Sequence, residues 1–188
     1  ENEKAIGYYE KAIAARPDSY LDRYVLANIY FQQGNLSKSE ALLKESLEIN
    51  RAFRKAYIGL YALAEKRKDV RASLYYQSRA LLLSKSYEKL VEILEKKEER
   101  VMRDLELVKF YLVGLFKSGV DLKAKDVLKR ALIGFPGDTD LKVYQGITLE
   151  LDGKKDEALE YFKKLTGDNP DNFNALVAYG DLLFNQGQ

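Results

Sequence analysis

Apolar residues recur along this chain at i, i+3, i+4 and i+7 in short blocks, the spacing of amphipathic helices. Val108, Tyr111, Leu112, Leu115 and Phe116 form one stripe, closed by Ser118-Gly119. The spacing predicts a second helix from about Leu122 to Ile133, with Ala124, Val127, Leu128 and Ala131 facing inward. Leu141, Tyr144, Ile147, Thr148 and Leu151 open another pair, closed by Asp152-Gly153, and Ala158, Leu159, Phe162 and Leu165 complete it. Glycine just past a helix end supplies a left-handed residue, and proline soon afterwards prevents continuation. Asp138, Asp168 and Asp171 are suited to cap the helices that follow them. Each unit therefore reads as helix, tight turn, helix and a proline-containing turn.

The units repeat. Gly119, Gly153 and Gly187 are each 34 apart, as are Pro136 and Pro170, and Gly146 and Gly180. Gly34 lies 85 before Gly119, two and a half periods, so the phase slips by half a unit between Lys68 and Gly119. Residues 87–100, YEKLVEILEKKEER, have no Gly or Pro and predict one extra amphipathic helix, with Leu90, Val91, Ile93 and Leu94 on its apolar side.

Composition narrows the chemistry. The 188 residues include no His and no Cys. Ser-His-Asp and Cys-His nucleophiles, the usual zinc sites and disulfides are thereby excluded. Carboxylate groups such as Glu98-Glu99 and Asp168–Asp171 fall in turns and on polar faces, where capping and solvation are their ordinary roles. No catalytic residue, metal site or cofactor is expected, and no apolar stretch is long enough to span a membrane. Net charge is +2, which argues against nucleic acid as a partner, although seven basic residues between Arg51 and Arg71 face only Glu65 and Asp69.

With this period and these positions, the chain resembles the tetratricopeptide repeat family. Ala5, Tyr9, Ala12 and Pro17 match the second half of a repeat, and Leu26, Ala27, Tyr30 and Gly34 the first half of the next. Leu112, Gly119, Ala124, Leu128, Ala131 and Pro136 match a later unit, and Gly146, Leu149, Gly153, Ala158, Phe162 and Pro170 another. Tyr179, Gly180, Leu183 and Gly187 match a final half. The resemblance implies an all-α, right-handed superhelical solenoid of antiparallel helix pairs, about eleven helices, with a half-repeat irregularity near 85–103. The expected organisation is an N-terminal repeat block over 1–84, the extra helix over 85–103 and a C-terminal repeat block over 104–188. The first and last repeats are expected to be truncated pieces of a longer array.

In this family the first helix of each pair lines a concave surface. Carried over residue by residue, that surface comprises Tyr24, Asn28 and Phe31, then Lys55, Ile58 and Lys66. It continues with Lys109, Val113 and Phe116, Val143 and Ile147, and Asn174, Asp181 and Phe184. The resemblance implies a non-catalytic scaffold that binds a peptide segment or helix of a partner protein there. Members that clamp a C-terminal carboxylate carry further Asn and Lys residues. Only Asn28 matches, with Tyr24 and Gly59 at two of the other positions, so that clamp is absent. The alternatives are self-association by head-to-tail stacking of repeats and, more remotely, RNA binding through the basic run 51–71.

Overall fold

The structure is a computed structural model and describes residues 2–185. Among them are twelve helices and no strand: α1 (Asn2–Ala15), α2 (Tyr20–Gln32), α3 (Leu36–Ile49), α4 (Arg54–Lys66), α5 (Val70–Leu83), α6 (Tyr87–Glu95), α7 (Glu98–Val101), α8 (Leu105–Lys117), α9 (Asp121–Gly134), α10 (Thr139–Leu151), α11 (Lys155–Asp168) and α12 (Phe173–Asn185). None of these helices is long and apolar enough to cross a membrane. Gly187, named in the repeat register above, lies outside the described residues.

One turn design joins many of the helices. Left-handed backbone occurs at Gly34, Lys68, Lys85, Gly119 and Gly153. After each, the next amide donates to a carbonyl five residues back: Asn35 to Tyr30, Asp69 to Ala64, Ser86 to Leu81, Val120 to Leu115 and Lys154 to Leu149, at 2.9–3.0 Å. This is the bond that closes a helix end by a left-handed residue. The turns step by 34 residues except between Lys68 and Lys85, a step of 17, which places the half-period slip at α5.

The extra helix is two helices, and this accounts for the count of twelve rather than about eleven. From Glu95 to Arg100 six consecutive residues are charged, and a helix depends on burying an apolar face more than on propensity. With nothing apolar to hold it, α6 ends at Glu95 and α7 restarts at Glu98. Caps follow the expected chemistry, with one shift. Asp138 accepts from the Leu141 amide at 2.9 Å, but α12 is capped by Asn172, which accepts from the Ala175 amide at 2.8 Å, and not by Asp171 or Asp168.

The chain divides into two compact units, Glu1–Leu90 and Val91–Gln188. In the first, Ala27, Leu43, Ala56, Leu60 and Leu63 form the core. Serines take some of the small positions: Ser46 is fully buried and donates to the Tyr20 carbonyl at 2.9 Å, so its hydroxyl is not left unpaired. In the second, α8 buries Leu107, Val108, Phe110, Tyr111, Leu112, Gly114 and Leu115. Val143, Ala158, Phe162, Leu165, Ala175 and Leu182 make a second cluster there. Of the aromatics that match the repeat pattern, Tyr30 and Phe162 are buried, whereas Tyr9 and Tyr179 are half-buried.

Candidate functional sites on the first-helix faces

In the N-terminal unit, α2 presents Tyr24, Asn28 and Phe31 toward Lys55, Ile58, Gly59 and Ala62 of α4, around a cavity of about 290 Å³. Ser39 and Leu43 of α3 complete its lining. Helical spacing puts 24, 28 and 31 on one stripe of α2, and 55, 58, 59 and 62 on one stripe of α4. The remaining details come from packing. Tyr24 stands edge-on to Phe53, ring centroids 5.2 Å apart, which fixes one wall. Lys66 lays its ammonium over the Phe31 ring, 4.3 Å from the centroid, a cation–π contact. Gly59 sits close to α3: a Cβ there would lie 2.9 Å from Leu43 Cδ1, so that side chain would have to shift. Ile58 keeps 42% of its surface exposed, so it offers apolar area to whatever lies against this face.

In the C-terminal unit, α8 and α10 enclose a second cavity of about 280 Å³, lined by Val113, Phe116, Lys117, Asp121, Tyr144, Ile147 and Leu151. Phe116 and Tyr144 stack with ring centroids 5.5 Å apart and planes 5° from parallel. Burial is the main influence on the Tyr144 hydroxyl and pushes its pKa up to about 12, with the Asp140 charge adding to it.

Beyond this cavity runs a polar ladder. Lys109 Nζ lies 2.8 Å from Asp140 Oδ2 and 2.9 Å from Asp138 Oδ2, and Asn174 Nδ2 donates to Asp140 Oδ1 at 2.8 Å. Helices α8, α10 and α12 are thus tied in sequence. Burial raises the Asp140 pKa, but hydrogen bonds from Lys109 and Asn174 outweigh it and leave the carboxyl below its ordinary range. Burial likewise lowers that of Lys109, and the bonds to Asp140 and Asp138 outweigh it, leaving the ammonium above its ordinary value. The two directions agree.

The residues placed on this face from the sequence therefore divide. Tyr24, Asn28, Phe31, Lys55 and Ile58 line one cavity, and Val113, Phe116 and Ile147 the other. Lys109 and Asn174 are engaged with Asp140. Val143 belongs to the core cluster, while Asp181 and Phe184 stand exposed on α12, Phe184 by 83%. Gly59 and Tyr144, which share one repeat position, were not among the residues carried over. That position lies beside the carried-over one at 58 and 143, so the signal was present.

Two tetratricopeptide repeat family models match the chain, over residues 1–64 and 145–188, together more than half of it. The chain belongs to the tetratricopeptide repeat family. No curated protein matches it by sequence. Among solved structures it is similar to YrrB, a tetratricopeptide protein with an unusual peptide-binding site, at 19% identity and TM-score 0.52, covering 90% of this chain and 96% of that one. A tetratricopeptide repeat protein from Parabacteroides merdae gives TM-score 0.56 at 14% identity, covering 97% and 78%. The Naa15/Naa10 complex bound to HypK-THB gives 0.52 at 17%, covering 97% of this chain but 31% of the other. These likenesses show an all-helical repeat solenoid fold. Repeats of this family generally mediate protein–protein interaction and are generally non-catalytic.

Proposed function

We propose that this tetratricopeptide chain is a non-catalytic binding module that holds a segment of a partner protein against its first-helix faces. The observation that carries the reading is the cavity between α2 and α4, where two aromatic side chains, an amide and an exposed isoleucine converge. At about 290 Å³ it is at the lower limit of small-molecule pockets, a size suited to a side chain of a bound segment. Aromatic residues at such a place commonly carry much of the binding energy. YrrB, similar in fold, has a peptide-binding site, in line with this reading.

The test is affinity for peptides selected on the whole chain, compared with the Tyr24→Ala/Phe31→Ala double variant. Loss of well over tenfold is expected, since buried aromatic anchors commonly cost about 2 kcal/mol or more each. Circular dichroism should show helicity retained. Unchanged affinity in a folded double variant would refute this location.

A further inference from the structure

We infer that the occupant of the cavity between α2 and α4 is an acidic segment: an apolar side chain seated on Tyr24, Phe31 and Ile58, with carboxylates on the flanking residues. This rests on the binding reading above and adds the chemistry of the partner. The charge around the cavity decides it. Lys55 is in the lining and Lys66 lies over Phe31, and the lining contains no carboxylate. The acids next in sequence to Lys66 and to the lining Ser39 are already engaged. Glu40 pairs with Lys44 and Arg67, and Glu65 accepts from the Ser73 hydroxyl. Among the described residues neither Lys55 nor Lys66 has an ion-pair partner.

The contrast within the molecule is direct. On the corresponding face of the C-terminal unit, Lys109 is neutralised by Asp138 and Asp140. Cations left uncompensated beside an apolar cavity favour an anionic partner and disfavour a basic one, by attraction and by like-charge repulsion. Asn28, with its amide in the same lining, offers both a donor and an acceptor to an extended main chain.

The experiment uses the whole chain and three matched pools of fluorescent twelve-residue peptides, each with a central Leu or Phe, flanked by Glu, Gln or Lys. Fluorescence anisotropy at low salt should rank Glu above Gln above Lys, with about a tenfold gap between the extremes that narrows as salt is raised. Lys55→Glu/Lys66→Glu should reverse the order, and Tyr24→Ala/Phe31→Ala should weaken all three pools. Equal binding of the three pools overturns this inference and leaves the binding reading standing. Failure of every pool to bind overturns both. A twelve-nucleotide single-stranded RNA that displaces the Glu pool with the same lysine dependence assigns the cations to nucleic acid and overturns the inference.

Discussion

Gly146 and the Phe162 ring are packed against each other so tightly that a Cβ on the glycine would lie 2.7 Å from Cε2 and 2.8 Å from Cε1. Phe162 is fully buried and cannot swing away into solvent. The glycine one period later, Gly180, meets nothing within 4 Å of the same hypothetical atom. Identical residues at identical repeat positions thus have opposite reasons to be there. Gly146→Ala should cost about 1–3 kcal/mol through overpacking, whereas Gly180→Ala should raise stability by about 0.5–1 kcal/mol through helix propensity. Thermal denaturation of the two variants checks the sign as well as the size.

Asp140 holds two successive first helices through Lys109 and Asn174. It is partly exposed, so solvent screening reduces what the ladder contributes, and Asp140→Asn should cost about 1 kcal/mol at neutral pH. The pH dependence follows from the directions of shift. A carboxyl held below its unfolded pKa stabilises above about pH 4, and that contribution is lost as pH falls through the folded value. Wild type should therefore lose more stability than Asp140→Asn as the pH falls below about 4. Parallel urea titrations of both proteins measure the difference.

Tyr144 gives an alkaline counterpart. Its pKa is pushed up to about 12, above the usual value of 10.0, so the folded state holds the phenolic proton more tightly than the unfolded chain does. The resulting stability is complete below pH 10 and is lost between about pH 10 and 12. Tyr144→Phe keeps the stack on Phe116 and should behave like wild type at pH 7, but with a flatter stability profile above pH 10. Ultraviolet difference titration should show one late tyrosine fewer in the variant.

The repeat architecture was legible because glycine and proline mark turns by backbone necessity, and three of the five left-handed turns carry glycine. Lys68 and Lys85 hid the other two, since lysine gives no signal for that conformation. The break at Lys96-Lys97 was hidden for the opposite reason: Glu, Lys and Arg are strong helix formers, and only the missing apolar anchor stops the helix. Repeat register put Tyr24, Asn28, Phe31, Lys55 and Ile58 on one face, and these five residues line one cavity. It could place Lys109, Asp140 and Asn174 on one face, yet not tell that they bond to each other, because side-chain reach is not a property of register.

The two lysine turns bracket α5, and their consequence is a lower cost of local opening. A left-handed conformation costs a β-carbon residue about 1–2 kcal/mol relative to glycine, so α5 is held at both ends by strained hinges. Its middle adds Ser78, fully buried with an unpaired hydroxyl. Local opening in a protein starts where the native state holds least free energy. The chain's own thermal fluctuations should therefore visit a state with α5 released far more often than one with α8 released, whose buried face is apolar from Leu107 to Leu115. Native-state hydrogen exchange should accordingly show weaker protection along α5 than along α8.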